Sequence, residues 1–361
     1  MKFEKIKKNF NYCIGNTPLI KLKIASELSG CNIYGKCEFL NPGGSVKDRP
    51  ALQIIKDALD NNLIREGATI VEGTAGNTGI GLAVVCKEFG LSLKIVIPKT
   101  QSIEKKNTLK KLGAELIEVE AVPYSNPDNY IKQSKKIAEE LSKKHNFGVV
   151  WGNQFDNVVN TKAHIETTAK EIWTQTSGKV DGFTCAVGTG GTLAGVSIGL
   201  KSKNKNIKIA LSDPMGSSLY SFIKNNKLES KGNSITEGIG TGRITKNFEK
   251  AIIDEAFQTE DVEALKIVYD LIEQQNIVLG GSSGINIAGA VKLAKKLGKG
   301  KNIILGGSSG INIAGAVKLA QKLGKGKTIV TILCDDGRRY ASKIFNKEFL
   351  KSKNLPIPKW L

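Results

Sequence analysis

The chain has 361 residues and a formal charge of +19, from 53 basic and 34 acidic residues. Its apolar content is ordinary for a globular protein of two domains or one large α/β unit, and no apolar run is long enough to cross a bilayer. The basic residues are spread along the chain with acids interleaved, which fits a solvated Lys-rich surface rather than a nucleic-acid site.

In chain order, Gly15-Asn16-Thr17-Pro18-Leu19 leads into a short strand, and residues 33–40 read as a second. That strand ends in the turn residues Asn41-Pro42-Gly43-Gly44. A helix follows, with Pro50 in its first turn and Leu52, Ile54, Ile55, Ala58 and Leu59 at helical spacing. Lys47 falls at the junction, where a side chain can face a cleft. A lysine in a partly apolar niche can lose its proton and form imines; most lysines are solvated surface groups.

Further strands are predicted at 68–72, 93–97, 115–119, 148–151, 182–187, 207–211 and 328–333. Helices are predicted between them at 79–89, 103–112, 162–174 and 192–200, and another carries Tyr130, Ser134, Ile137, Ala138 and Leu141 on one face. Such alternation predicts mostly parallel sheet covered by helices on both faces, with ligand loops at the carboxyl ends of the strands. Residues 276–301 are followed at once by a near copy, 302–327, differing only at Val278/Ile304 and Lys295/Gln321. Two copies do not make a solenoid; they read as a tandem duplication of one strand-loop-helix unit, with one copy surplus to the sheet.

The six cysteines, at 13, 31, 37, 86, 185 and 334, form no CxxC pair. This argues against a metal site or a secreted disulfide framework and for a reducing compartment. The N-terminus shows no apolar signal core, so the expectation is a soluble, cytoplasmic protein with no membrane partner.

Three loops carry chemistry. Gly73-Thr74-Ala75-Gly76-Asn77-Thr78-Gly79 places amides and hydroxyls at a helix N-terminus, an anion site suited to a carboxylate. Gly188-Thr189-Gly190-Gly191-Thr192 can cradle a phosphate with backbone amides. It is neither a dinucleotide fingerprint, since Leu193 stands where glycine is required, nor a Walker A loop, so a small phosphorylated cofactor fits it better. Leu333-Cys334-Asp335-Asp336-Gly337 ends a buried strand; its carboxylates suit either a site or a turn and helix cap.

Gly15-Asn16-Thr17-Pro18-Leu19, Asn41-Pro42-Gly43-Gly44-Ser45-Val46-Lys47-Asp48-Arg49, Thr74-Ala75-Gly76-Asn77-Thr78, Gln154-Phe155 and Gly188-Thr189-Gly190-Gly191-Thr192 together resemble the cysteine synthase/cystathionine β-synthase family of pyridoxal 5'-phosphate enzymes. The resemblance runs from about residue 12 to 345. It implies two open, twisted, mostly parallel sheets flanked by helices, the fold type II of the tryptophan synthase β chain. A smaller mobile domain at 35–157 would carry Lys47 and close over the substrate. A larger domain, 1–34 plus 158–345, would hold the cofactor phosphate, with a tail at 346–361.

By the same resemblance, Lys47 links to the cofactor and moves the proton at the substrate Cα. Asn77 bonds the cofactor's phenolic oxygen; Gly188, Thr189, Gly190, Gly191 and Thr192 hold its phosphate. Thr74, Ala75, Gly76, Asn77, Thr78 and Gln154 hold the substrate carboxylate, and Gly238, within Glu237-Gly238-Ile239-Gly240, lines the other side. Two departures stand out: Ala75 where serine is common, and Asp336 where serine usually bonds the pyridine nitrogen.

The expected activity is cysteine synthesis from an O-acetylserine-like substrate and sulfide, with acetate released, in a homodimer that uses no metal. Cysteine desulfhydrase or cystathionine β-synthase-like activity is the alternative. A basic binding protein that kept a dead enzyme fold is a more distant one. No regulatory module is expected after the core.

Overall fold

The computed structural model describes residues 10–279 and 328–361. The strands of this part are β1 (Leu19–Lys21), β2 (Asn32–Cys37), β3 (Thr69–Gly73), β4 (Ser92–Pro98), β5 (Glu115–Val119), β6 (Val149–Trp151), β7 (Gly182–Cys185), β8 (Lys208–Pro214), β9 (Glu255–Thr259) and β10 (Thr328–Leu333). They form two sheets. One has the order β1-β2-β10-β7-β8-β9, parallel except for the antiparallel edge strand β1. The other, β5-β4-β3-β6, is parallel throughout. The expected architecture of two mostly parallel sheets flanked by helices is therefore present.

Parallel strands covered on both faces need near-continuous apolar runs. β3, Thr-Ile-Val-Glu-Gly, is buried at every position, and most of β4 is buried too. Each sheet builds its own core. Phe183, Leu193, Val196, Ile209, Leu211 and Ile332 pack together in the larger one. Ile55, Ile70, Leu82, Val85, Ile95 and Ile97 do so in the smaller. Each such side chain contributes about 1.5–3 kcal/mol on burial.

The helices that position the site are α1 (Lys23–Ser29), α2 (Asp48–Asp60), α3 (Asn77–Glu88), α4 (Ile103–Lys111), α5 (Tyr130–Ser142), α6 (Val159–Ala163), α7 (Ala169–Gln175), α8 (Gly191–Lys201), α9 (Leu219–Asn225) and α10 (Asp261–Gln275). Two local readings change. The strand expected at 33–40 ends at Cys37, and Glu38–Leu40 form a 3-10 turn. The helix expected at 162–174 is α6 and α7 joined by a π-helical turn, His164–Thr168.

The first change has an electrostatic cause. Glu38 turns inward to meet Arg49, which donates from Nε to Oε2 and from Nη2 to Oε1, both at 2.7 Å. Arg49 also grips Glu171 at 2.6 and 2.8 Å, and the Lys36 ammonium reaches Glu171 Oε2 at 2.5 Å and Thr17 O at 2.6 Å. Thr17 Oγ1 donates to Glu38 Oε1 at 2.7 Å, and Gly15 N donates to Asn41 Oδ1 at 2.8 Å. Two cations and two anions balance inside the core, as buried charges must. They tie the 15–19 motif, β2, α2 and α7 into one block.

The unit at residues 276–301 enters the described region only through its first residues, where Leu279 bridges to Asp336. The rest of it, and its copy at 302–327, lie outside the described residues, as does the expectation that one copy is surplus.

Candidate active site

Lys47 is the N-cap of α2, at the carboxyl end of the β2 connection. Its side chain lines a cavity of about 720 Å3 between the two sheets, together with Thr74, Asn77, Gln154, Gly188 and Glu237. It also borders a small inner recess shared with Cys185, Gly190 and Thr192. Among the described residues, no hydrogen bond or ion pair engages the Lys47 amine. A half-buried lysine without a partner, at a cavity junction, is chemically available.

The 73–79 loop forms one wall. Thr74, Ala75, Asn77 and Thr78 line the cavity, while Gly76 supports the turn by donating its N–H to Thr74 Oγ1 at 3.0 Å. α3 begins at Asn77, so its free amides face this wall. Across from it, Thr78 Oγ1 donates to Gln154 Oε1 at 2.5 Å, and Gln154 Nε2 donates to Gly73 O at 3.2 Å. Five of the six residues expected at the substrate carboxylate thus share one surface, with Gly76 as their support.

The 188–192 loop forms the recess. Gly188, Thr189, Gly190 and Thr192 line it; Gly191 starts α8 and turns the other way, against Asn160. Gly190 sits at φ 89°, and a Cβ there would meet Phe248 N at 2.6 Å, so only glycine fits. The recess combines hydroxyls with the N-terminus of an 11-residue helix, the donor set a phosphate needs.

Asn77 lines the cavity, and its amide has partners of its own. Nδ2 donates to Asp335 Oδ2 at 2.6 Å, and Oδ1 accepts from Arg339 Nη1 at 2.7 Å. One amide hydrogen has no partner among the described residues.

Asp336 does not take the place expected for it. Its carboxylate caps the 3-10 helix Gly337–Tyr340, accepting from Arg338 N at 2.8 Å, and pairs with the Arg338 guanidinium. Burial raises its pKa, but the Arg338 hydrogen bonds outweigh that and hold the carboxyl below its usual range. Asp336 lines a separate cavity of about 490 Å3 behind Gly43 and Gly44. Asp335 faces the site side instead, fully buried and also bonded by Tyr340 OH at 2.6 Å. Cys334, at the end of β10, lines the main cavity itself.

The mouth is charged. Gly238 lines it beside Glu237. The Glu237 carboxylate meets Lys105 Nζ at 2.6 Å and Lys343 Nζ. Burial pushes Glu237 up, yet the two lysines outweigh it and keep its pKa low. Arg243 pairs with Asp156 through both guanidinium nitrogens, at 3.1 and 3.0 Å, and lies 4.3 Å from the Tyr124 ring centroid.

Fold and site define a cofactor-dependent enzyme of the α/β class, with a half-buried lysine in a cavity between two sheets and a hydroxyl-lined recess beside it. Over residues 10–305 the chain matches the family described as pyridoxal-phosphate dependent enzyme, and it belongs to that family. It is 46% identical over 359 residues to cysteine synthase 1 of Neurospora crassa, covering 98% of this chain and 87% of that one. Among solved structures, an O-acetylserine dependent cystathionine β-synthase from Helicobacter pylori superposes with a TM-score of 0.77 at 31% identity, over 94% of this chain and 99% of that one. A hydrogen sulfide-producing enzyme from Fusobacterium nucleatum gives 0.76 at 33% identity, over 93% and 100%. The cofactor of the family is pyridoxal phosphate, and the resemblance read from the motifs is thereby confirmed. The recess, its hydroxyls and the available Lys47 amine fit that group.

Proposed function

We propose that the protein is a cysteine synthase, exchanging the β-substituent of O-acetyl-L-serine for sulfide with release of acetate. The observation that carries this reading is the likeness to a cysteine synthase across 98% of the chain. When bound, pyridoxal phosphate supplies the electron sink for negative charge at the substrate Cα. Lys47 would hold the cofactor before the amino acid binds, and its Nζ, once free, would move the Cα proton. The 74–78 loop and Gln154 hold the substrate carboxylate against the α3 N-terminus, where the partial positive charge of the helix favours it. Thr189 and Thr192 donate to the phosphate. Asn77 offers its remaining amide hydrogen to the cofactor ring. Glu237 and Arg243 line the mouth that sulfide must pass.

The smaller unit, 35–157, closes over the bound amino acid in this reading, and the working form is a cytoplasmic homodimer. Small-angle scattering with and without substrate reports both closure and mass. An unchanged profile rules out closure.

The Fusobacterium neighbour favours a second reading, in which cysteine is the substrate and sulfide the product. A single assay separates the two. Purified protein is given O-acetylserine plus sulfide, or cysteine alone, and cysteine, sulfide and pyruvate are followed. Faster cysteine formation supports the synthase. Sulfide and pyruvate release at the higher rate overturns it. Lys47→Ala must be silent in both arms and colourless.

A further inference from the structure

Behind the phosphate recess lies a second layer of side chains. Gly191, Gly195 and Gly199 are four residues apart on α8 and face α6, the π turn and α7. A Cβ on Gly191 would meet Asn160 Oδ1 at 2.1 Å; on Gly195, His164 Cβ and Thr161 O, both at 2.5 Å; on Gly199, Ala169 Cβ at 2.4 Å. The bare stripe lets the two helical runs touch, and two side chains of the lower run reach the loop above.

The first is Asn160. Its Nδ2 donates to Thr189 Oγ1 at 3.0 Å and to Gln154 O at 2.9 Å, so the amide end is fixed. Thr189 Oγ1 accepts, and its own hydrogen is free to point into the recess. The second is His164, fully buried in the π turn, a local irregularity frequent at functional sites. Its Nε2 lies 3.2 Å from Thr192 Oγ1 and its Nδ1 2.9 Å from Thr168 Oγ1. Here the direction of donation is set by the imidazole tautomer.

We propose that His164 is a positioning residue for the cofactor phosphate: its Nε2–H donates to Thr192 Oγ1, which aims the Thr192 hydroxyl hydrogen into the recess. Thr168 then donates to Nδ1. The other tautomer would turn the Thr192 hydrogen toward His164 and offer an anion only oxygen lone pairs. The same ring must stay neutral for this to hold. Burial does that, with Arg49 and Lys47 adding to it; together they outweigh the opposite pull of Glu38 and Glu171 and push His164 down to about 3. The inference rests on the reading of the 188–192 loop as the phosphate site and explains how both of its hydroxyls become donors.

The chain has two histidines, so 15N-histidine labelling of the holoenzyme gives two rings to assign. The expected result is a His164 ring with the proton on Nε2, unchanged from about pH 5.5 to 8.5, well above its depressed pKa. A proton on Nδ1 overturns the proposal. Cofactor affinity, measured by fluorescence on reconstituting apoenzyme, gives a second reading. Glutamine places an amide where Nε2 stood; phenylalanine places none. His164→Phe should weaken affinity about 10- to 100-fold, the worth of one hydrogen bond to a charged group, while His164→Gln stays within about threefold. Thr192→Val should match His164→Phe, and the double variant should lose no more than either. If Thr192→Val binds as well as wild type, the phosphate reading falls and the proposal with it. If Thr192→Val weakens binding but His164→Phe does not, the positioning role alone falls.

Discussion

Arg49→Met tests the buried charge block. In the native fold Arg49 neutralises Glu38, which is fully buried, and shares Glu171 with Lys36. Removing the guanidinium leaves Glu38 with the hydrogen bonds of Thr17 and Asn41 and the weaker pull of Lys36, which Glu171 already pairs. Breaking a buried pair from one side costs about 3–5 kcal/mol. At about 2 °C per kcal/mol for a chain of this size, the first unfolding transition of the holoenzyme should fall by roughly 8 °C. The pH dependence has a definite sign. Burial raises the Glu38 and Glu171 pKa values, but Arg49 outweighs it, holding Glu38 below its usual range and Glu171 down to about 2. Groups with depressed folded values contribute fully above their unfolded pKa of about 4.3 and lose that contribution as pH falls through the folded one. The gap between wild type and Arg49→Met should be full at pH 7 and narrow below about pH 4.5. Adding Glu38→Gln removes the stranded charge and should recover about 2 kcal/mol. A shift below about 2 °C, or a gap unchanged down to pH 3, would refute the reasoning.

Three further outcomes follow from the site. Asp336→Ala should cost about 1 kcal/mol as a lost helix cap, seen by calorimetry, while the cofactor's absorption spectrum stays as in wild type; a changed spectrum would return Asp336 to the ring. Burial pushes Glu72 up to about 8, against the pull of backbone amides at Gln154, Asn153 and Gly73, and leaves Oε2 without a hydrogen bond. A raised folded pKa means stability present at low pH and lost as pH rises toward 8, so Glu72→Gln should gain on wild type between pH 5 and 9; a falling or flat melting-temperature difference counts against it. Deleting residues 302–327 should keep activity and raise the melting temperature, and a variant that fails to fold shows that both copies are built in.

The sheets were legible because the strands are short apolar runs between turn residues, and the three loops because glycine and threonine cluster at strand ends. The Lys47 position followed from the same punctuation. Asp335 and Asp336 could not be separated in the sequence. Adjacent carboxylates look alike there, and only the direction of the chain after β10 assigns one to Asn77 and the other to Arg338. The 15–19 motif carried no visible chemistry, because its partners Glu38, Arg49 and Glu171 are brought together only by folding. His164 gave one faint signal, as one of two histidines, within a run read as an unbroken helix.

The place of β10 has a consequence for how the molecule is made. It pairs with β2 on one side and β7 on the other, so it is the strand that joins the two parts of the larger sheet. Among the described strands it is the last to be synthesised, and Thr328 must find Asn32, far back in the chain. Until then the nascent protein carries two unpaired inner edges, at β2 and β7, each able to template association with another chain. The smaller sheet, complete by Trp151, suffers no such delay. Synthesis therefore yields a finished smaller half early and an open larger half late, which places the window for misassembly in the interval before β10 emerges.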